Sequence, residues 1–391
     1  MRSERSLLKV LHSYKVYRPD VDGGIPYVIA TLARLTRERI DNRILVARRK
    51  GYFRQLVVDG VPVEAVTSFG TLFSTPLAPT FPGMLASRAG SCDILLHHAP
   101  FPLADLAMSF IPAKVALIVY WHADIIGFSL LKKLVTPALI RTLRRANRII
   151  VADQSTIDGS ELLRSFAHKC SIIPYGTDID YWSVCSKDEH FAAQQLRQKY
   201  PRLILSIGRF VPYKGFSSLL QALKNIDGQL VLVGEGPLDR KLRDLARDLS
   251  LSDRVVFAGR LDASEMKAYM HAARVLAFPS ITTAEAFGIV QIEAMAAGLP
   301  VVNTCLASAV PRIARHEREG LTVPPNNTDT LAEAIRRILD DSSLALRLGA
   351  AGQVRARAEY SQDVYAARIR RLYHEVLEQS ALQTVPEGRQ L

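Results

Sequence analysis

Cysteine is scarce in this sequence, and long apolar runs are missing. The four cysteines (Cys92, Cys170, Cys185 and Cys305) form no CxxC pair and no spacing typical of a metal site. We therefore expect reduced thiols in a cytoplasmic protein. No run approaches the roughly 18 apolar residues that a membrane-spanning helix needs. The first residues, MRSERSLLKVLHSY, do not resemble a signal peptide.

Several chemical signatures are also absent. No GxGxxG follows the first strand candidate, which disfavours a nicotinamide-dependent oxidoreductase. No DxD-like pair or His/Asp cluster occurs in the predicted site, so we expect no cofactor and no required metal. A basic stretch interleaved with aromatic residues is missing as well, so nucleic acid is not an expected partner.

Charge is distributed unevenly over the 391 residues. Residues 1–150 hold 21 Lys/Arg against 10 Asp/Glu, a balance of +11, whereas residues 151–391 hold 29 against 28, a balance of +1. The plain interpretation is a surface that favours solubility. The sharper one is a negatively charged partner, such as an anionic membrane or a pyrophosphate-bearing substrate.

Short β-branched segments alternate with amphipathic stretches, which predicts α/β domains with parallel sheets covered on both faces. Strand candidates are 7–12, 43–47, 93–98, 115–121 and 148–152, then 203–208, 229–234, 254–259, 274–280 and 300–303. Helices are expected at 216–226, 237–249, 263–272 and 288–297. We predict doubly wound Rossmann-like domains at 1–182 and 190–360 that face each other across a cleft. A helix at 361–379 is expected to pack back on the first domain.

Polar residues with suitable chemistry follow the strand candidates of the second half. In SIGRFVPYKG, Gly208 allows a tight turn, and Arg209 and Lys214 suit a diphosphate. In LVGEGPLDRKL, Glu235 lies in a glycine-flanked loop before a helix. Alone, each pattern is also compatible with ordinary surface charge; together they favour a ligand site at the carboxyl ends of the strands.

Two acids flank an apolar helix in TTAEAFGIVQIEAMAAGLPVV. Glu285 precedes the helix, where it could simply cap the amides; Glu293 lies within a helix that we expect to be buried, where a carboxylate needs a hydrogen-bond partner. The amides of Ala286, Phe287, Gly288 and Ile289 are expected to point out of the helix start, toward a negative charge or sugar hydroxyls.

The first half offers fewer candidates. Gly23 and Gly24 fall in the first strand-to-helix loop, where backbone amides could approach a phosphate. His122 ends a strand candidate, and Asp124 follows it. The stretch 127–148, which we expect Pro137 to break in two, is amphipathic. Its basic residues (Lys132, Lys133, Arg141, Arg144, Arg145 and Arg148) could contact an anionic membrane or form an ordinary solvated face.

Together these motifs resemble the retaining glycosyltransferases of family 4, which have the GT-B fold. The resemblance rests on Glu285-x7-Glu293 around AFGIV, on the GR…K loop before it, and on GLPVV and GLTVPPNNTDTLAEAI after it. It implies that Glu285 holds hydroxyls of the donor sugar and that Glu293 holds the ribose. It also implies that Arg209 and Lys214 neutralise the leaving diphosphate.

In the first half, VYWHADI is similar to the family's WHSD segment. This similarity implies that His122 touches the donor sugar or the acceptor, with Asp124 supporting the loop. The implied enzyme moves a hexose, with mannose from GDP-mannose favoured, to a lipid-linked or growing oligosaccharide of the cell surface. It would work at the inner face of the plasma membrane. UDP-hexoses, a non-catalytic relative and a non-hydrolysing sugar-nucleotide epimerase remain alternatives, although the x7 spacing disfavours the epimerase.

Overall fold

A computed structural model describes residues 7–72, 75–123 and 129–383. The chain divides into two compact units: unit 1 comprises Met1–Pro174 and Tyr365–Leu391, and unit 2 comprises Tyr175–Val364. The ranges 1–182 and 190–360 stay a prediction from the sequence.

The described part of unit 1 contains an eight-stranded sheet with the order β10-β9-β8-β7-β1-β2-β4-β3. Its strands are β1 Leu8–Tyr14, β2 Ile40–Ala47, β3 Arg54–Val58, β4 Val61–Val66, β7 Ile94–Ala99, β8 Ala116–Trp121, β9 Arg148–Val151 and β10 Cys170–Ile172; β5 Thr71–Leu72 and β6 Thr75–Pro76 form a separate pair. All neighbours in the large sheet are parallel except β3 and β4, which form an edge hairpin. Every residue of β7 and β8 is buried, as expected for central parallel strands covered on both faces.

Helices cover this sheet. They are α1 Gly24–Thr36, α2 Phe81–Ala89, α3 Pro102–Ala107, α4 Ser129–Arg145, α5 Gln154–Gly159 and α6 Glu161–Arg164. One core cluster contains Leu95 of β7, Val119 of β8 and Leu143 of α4. The expected break at Pro137 is wrong, because α4 continues through that residue as a single helix. Within the described residues, every helix is too short or too polar to cross a bilayer.

The described part of unit 2 contains a six-stranded parallel sheet with the order β13-β12-β11-β14-β15-β16. Its strands are β11 Leu203–Ile207, β12 Gln229–Val233, β13 Val255–Gly259, β14 Val275–Ala277, β15 Val301–Thr304 and β16 Gly320–Val323. The strand order therefore reverses between β11 and β14. These sheets and their helices confirm the predicted class of two doubly wound α/β domains.

Helices also accompany the sheet of unit 2. They are α7 Ile179–Ser183, α8 Lys187–Lys199, α9 Phe216–Leu223, α10 Asp239–Asp248, α11 Ala263–Ala272, α12 Ile289–Ala296, α13 Val310–Ile313, α14 Thr328–Asp340 and α15 Ser342–Tyr360. A final helix, α16 Gln362–Gln383, begins in unit 2 and belongs to unit 1 from Tyr365 onward. There the Tyr365 hydroxyl lies 3.2 Å from that of Tyr120 on β8. The four helices predicted between the strands of this unit are confirmed, with ends that differ by a few residues.

Candidate functional site

The strand order of unit 2 marks one edge of its sheet for ligand binding. In open α/β sheets, ligands bind beyond the carboxyl ends of the strands, at the point where the order reverses. That point lies between β11 and β14, which are hydrogen-bonded neighbours. The loop after β11 carries Gly208, Arg209 and Lys214, and the loop after β14 carries Glu285. The cations and the first acid therefore lie on the two loops that flank this point.

Two glycines allow these loops to approach each other. Gly208 has a φ of +156°, and a Cβ at this position would lie 3.1 Å from Lys214 Cε. Gly215 has a φ of +70°, and its Cβ would lie 1.9 Å from the Pro279 carbonyl oxygen. A side chain at Gly208 would displace Lys214, and one at Gly215 would push the two loops apart.

Lys214 and Glu285 form an ion pair across the two loops. The Lys214 Nζ lies 2.5 Å from Glu285 Oε2, and their side chains are 13% and 10% exposed. The Ser280 hydroxyl donates to the same carboxylate oxygen at 3.0 Å. The Lys214 ammonium also lies 4.9 Å from the centre of the Phe278 ring. The pair is thus nearly buried and shares its carboxylate with a hydroxyl that the sequence reasoning missed.

The start of α12 leaves backbone donors available. Gly288 is the N-cap, with φ 87° and ψ 65°, and among the described residues no side chain caps the helix. The Glu285 carboxylate contacts Lys214 and Ser280 instead, so the capping interpretation of Glu285 is wrong. Within the described residues, the amides of Phe287, Gly288 and Ile289 have no backbone acceptor. Such amides at a helix start suit an anion or hydroxyl oxygens.

Glu293 lies on α12 itself and differs electrostatically from Glu285. The residue is partly exposed, yet loss of hydration raises the pKa of its carboxyl to about 7. Burial is the sole cause of this shift, and no hydrogen bond or ion pair among the described residues compensates it. A carboxylate held this way gains from a ligand that donates hydroxyl hydrogens.

Arg209 and Glu235 lie at the surface of unit 2. Arg209 is exposed. Burial, and after it the Glu285 charge, raises the pKa of the Tyr213 hydroxyl, and the Arg209 charge opposes this rise, so Tyr213 lies within the field of both charges. Glu235 forms an ion pair with Arg260 at 3.2 Å, with side chains 57% and 84% exposed. Exposed pairs of this kind are weak, so Glu235 could exchange its partner for a ligand.

The candidate loop of unit 1 surrounds the start of α1. Gly23 is the N-cap, with a φ of 172° that any residue adopts, and the helix has no side-chain cap. A Cβ at Gly23 or Gly24 would meet no heavy atom of the described residues within 4 Å. Neither the backbone nor the packing therefore explains this pair, whereas close approach by a ligand would.

His122 follows β8 and is buried in unit 1. Its Nε2 lies 2.9 Å from Nδ1 of His98, and the two rings are nearly coplanar with centres 5.2 Å apart. Burial lowers the pKa of His122 to about 3, so the ring is neutral. His98 was missed from the sequence because nothing in its segment predicts contact with His122. Asp124 lies outside the described residues.

The basic stretch 127–148 is only partly a charged surface. Arg141 and Arg144 of α4 are exposed. Arg145 instead donates to the Pro112 carbonyl oxygen at 2.9 Å, and Arg148 donates to the Asn147 carbonyl oxygen at 2.9 Å. Residues 127 and 128 and the side chains of Lys132 and Lys133 lie outside the described part. Elsewhere among the described residues, His, Cys, Asp and Glu do not form a group of three or more that could hold a metal.

Two family models match the chain. Residues 22–181 match Glycosyltransferase Family 4, and residues 187–355 match Glycosyl transferases group 1. The D-rhamnosyltransferase of Pseudomonas aeruginosa is 30% identical over 90% of this chain and 91% of its own length. The O-antigen chain mannosyltransferase C of Escherichia coli is 26% identical over 95% and 99%.

A relative from Mycobacterium tuberculosis, a GDP-mannose-dependent alpha-(1-6)-phosphatidylinositol monomannoside mannosyltransferase, is 32% identical over 63% of this chain and 66% of its own. Among solved structures, the Anabaena protein HepE in complex with UDP superimposes with a TM-score of 0.76 at 21% identity, covering 94% of this chain and all of that one. Site geometry, domain matches and relatives agree: the chain belongs to the family 4 glycosyltransferases of GT-B fold and is a sugar-transferring enzyme.

Proposed function

We propose that this enzyme transfers a hexose from a nucleotide-sugar to a lipid-linked or growing oligosaccharide in cell-surface polysaccharide synthesis, with retention of the anomeric configuration. The observation that carries the proposal is the cluster at the strand-order reversal of unit 2. There an exposed Arg209, the Lys214–Glu285 pair and the uncapped amides before α12 lie on the two adjacent loops.

In the proposed reaction, charge neutralisation is the main source of catalysis. The bond from C1 of the sugar to the diphosphate oxygen breaks, and negative charge develops on the departing nucleoside diphosphate. Arg209, Lys214 and the amides of Phe287 to Ile289 stabilise that charge. The acceptor hydroxyl attacks C1 on the face that the diphosphate leaves, and a phosphate oxygen takes its proton. Glu285 accepts sugar hydroxyls and Glu293 accepts ribose hydroxyls.

Mannose from GDP-mannose is the favoured donor. The mannosyltransferases of E. coli and M. tuberculosis support mannose, and the name of the latter includes GDP-mannose. A UDP-hexose is the second candidate, because the superimposable Anabaena protein carries UDP. The third candidate is a non-catalytic function, in which the protein binds a nucleotide-sugar without transferring the sugar.

The proposed reaction needs no cofactor and no divalent metal. In this proposal two cations and a helix start neutralise the diphosphate, which is the task that a metal performs in other transferases. Turnover in excess chelator tests this directly. Complete loss that only Mn²⁺ or Mg²⁺ restores would overturn it.

We further propose peripheral contact with the anionic inner face of the plasma membrane, through unit 1. Besides Arg141 and Arg144, unit 1 has an exposed surface that we call the aromatic–basic patch. It consists of Tyr52, Phe53, Phe69, Leu72, Arg49, Lys50 and Arg54. Backbone pairing of Gly51 with Ser68 holds its two segments together. Exposed aromatic residues beside cations suit a lipid headgroup region.

A screen of nucleotide-sugars by thermal shift, followed by transfer to a polyprenyl-diphosphate glycan, tests the proposed function. We expect the largest stabilisation with GDP-mannose, and an α-linked product from the α-linked donor in the NMR spectrum. If only a UDP-sugar stabilised the protein, the donor would be a UDP-sugar and not GDP-mannose. Inversion at C1 would overturn the stereochemical part, and binding without transfer to any lipid-linked acceptor would favour the non-catalytic relative.

A further inference from the structure

Four buried polar residues cross the sheet of unit 1 on a diagonal. Strand register pairs Val10 with Asn42, His12 with Leu96 and His98 with Tyr120. Each step to the next strand therefore advances the polar position by two residues. Residues two apart on a strand share a face, so Asn42, His12, His98 and His122 lie in one line across one face. We call these four residues the histidine row.

Continuous hydrogen bonds connect the histidine row. The His12 Nε2 lies 3.0 Å from Asn42 Oδ1, and the His12 Nδ1 lies 3.1 Å from His98 Nε2. The His98 Nδ1 lies 2.9 Å from His122 Nε2. The ring planes of His12 and His98 differ by 15°, and those of His98 and His122 by 6°. Each pair is therefore nearly coplanar, which suits a hydrogen bond in the plane of the rings.

The amide of Asn42 is oriented by its surroundings. Its Nδ2 donates to Thr36 Oγ1 at 2.9 Å, and to the carbonyl oxygens of Ala33 and Ile40 at 3.3 Å each. The Thr36 hydroxyl donates its own hydrogen to the Leu32 carbonyl oxygen at 2.9 Å, so it must accept from Asn42. The amide nitrogen thus has its acceptors on α1 and at the start of β2, and Oδ1 is left to accept from His12.

Because the rings are neutral, all hydrogen bonds in the row run in one donor-to-acceptor direction. A neutral imidazole has one N–H and one acceptor nitrogen. Burial lowers the pKa of His12 to about 4 and that of His98 well below its usual range, and the pKa of His122 is lowered similarly. His12 must donate from Nε2 to Asn42, so its Nδ1 accepts from His98 Nε2–H. The Nδ1 of His98 in turn accepts from His122 Nε2–H.

We propose that the histidine row holds His122 in the Nε2–H tautomer, so that the ring presents its Nδ1 as a hydrogen-bond acceptor. The catalytic part of this inference rests on the proposed function. It makes Asn42, His12 and His98 positioning residues of the transfer reaction. If the His122 tautomer reversed, the tautomers of His98 and His12 would have to reverse as well. The Asn42 Oδ1 would then face the lone pair of His12 Nε2 instead of an N–H.

Nitrogen NMR of protein labelled with ¹⁵N in its histidine rings tests the tautomer without any assay of activity. We expect His12, His98 and His122 of the unaltered enzyme to be neutral and to carry hydrogen on Nε2. In Asn42→Leu, which keeps the shape but removes the acceptor, the His122 signals should shift toward the other tautomer. The control is His97→Gln, because His97 lies next to His98 but bonds to Ser13 instead, at 3.0 Å.

Turnover adds the functional half of the test. In His98→Phe, kcat should fall by roughly tenfold to a hundredfold, as when a residue that orients another is removed. Stabilisation by free nucleoside diphosphate should not change, and His97→Gln should leave kcat within about twofold. If the unaltered enzyme carries hydrogen on Nδ1 of His122, or if Asn42→Leu leaves the His122 tautomer as it was, the inference is overturned. Expected tautomers in an enzyme that transfers no sugar would instead overturn the proposed function and the positioning role of the row, while the tautomer assignment would stand.

Discussion

Lys214 Nζ and Glu285 Oε2 lie 2.5 Å apart, so the cation assigned to the diphosphate and the acid assigned to the sugar form one ion pair. The pair joins the loops after two adjacent strands of unit 2, between which the strand order reverses. Its two charges therefore stabilise the fold as well as the proposed reaction. A substitution of either residue changes both, and stability and turnover have to be measured together.

Lys214→Ala should lower both stability and turnover. The substitution leaves the Glu285 carboxylate nearly buried, with the Ser280 hydroxyl as its remaining partner among the residues that the structure describes. Breaking one side of a buried pair costs about 3 kcal/mol at the lower end of its usual range. We expect unfolding several degrees below that of the unaltered protein, and a loss of kcat of at least about a hundredfold.

The double variant Lys214→Ala with Glu285→Gln separates these two effects. Removing the unpaired charge should recover most of the lost stability. Transfer should stay defective, because the Lys214 charge is missing and glutamine offers the sugar only a neutral acceptor. Thermal unfolding and product formation are measured on the same samples. A single Lys214→Ala variant that unfolds at the unaltered temperature would show that the ion pair does not stabilise unit 2.

Arg209→Ala should affect turnover alone. Arg209 is exposed, and within the described residues no carboxylate pairs with it, so its removal should change the free energy of unfolding by no more than about 0.5 kcal/mol. Loss of a group that stabilises developing charge typically costs about a hundredfold in kcat. Arg240→Ala on α10, whose side chain is 95% exposed, is the matched control and should behave as the unaltered enzyme. Equal rates in both variants would remove Arg209 from the phosphate role.

The sequence predicts much of unit 2 because its motifs are local. Each strand candidate ends where a functional loop begins, so the positions of Arg209, Lys214 and Glu285 follow from strand periodicity alone. The β3–β4 hairpin was missed although its signal was present: two apolar runs flank Asp59-Gly60, and both residues have the positive φ that such a tight turn requires.

The histidine row could not be predicted in the same way. His12, Asn42 and His98 look like isolated polar residues in apolar strands, and no local pattern relates them. Their alignment depends on the order and register of four strands, with sequence separations of 30, 86 and 24 residues between bonded partners. Only pairing across the sheet puts them into one line. The Lys214–Glu285 pair was missed for the same reason, since each residue was interpreted within its own loop.

Glu293→Gln should stabilise the protein at high pH. Burial raises the pKa of Glu293 from its ordinary value of 4.5 to about 7 in the folded state. The folded state therefore binds a proton at this carboxyl more tightly than the unfolded chain does. That contribution to stability is complete below pH 4.5 and is lost as the pH rises through about 7. Glutamine is neutral at every pH, as the protonated acid is, so the variant does not lose this stability when the pH rises. We expect a gain of at most about 3 kcal/mol near pH 8, shrinking toward acid pH.

Thermal unfolding at several pH values measures this difference. Glu333→Gln on α14 is the control, because that residue is exposed and should give the same unfolding temperature as the unaltered protein at every pH. If Glu293 holds the ribose, Glu293→Gln should also bind nucleoside diphosphate more weakly despite its greater stability. A pH-independent effect of Glu293→Gln would mean that hydration of this carboxyl is not lost on folding.

Tyr52→Ser combined with Phe69→Ser should weaken binding to anionic vesicles more than Arg141→Gln combined with Arg144→Gln. Tyr52 and Phe69 are 85% and 70% exposed, and each can insert an aromatic ring among headgroups. The two arginines contribute roughly 1 kcal/mol each through a field that salt screens, so their loss should matter little at high ionic strength. Phe191→Ser, which removes a ring that is 61% exposed from unit 2, is the control and should sediment with vesicles as the unaltered protein does. If the arginine variant alone loses binding to vesicles, α4 rather than the aromatic–basic patch contacts the lipid. If neither variant loses binding, neither surface contacts the lipid.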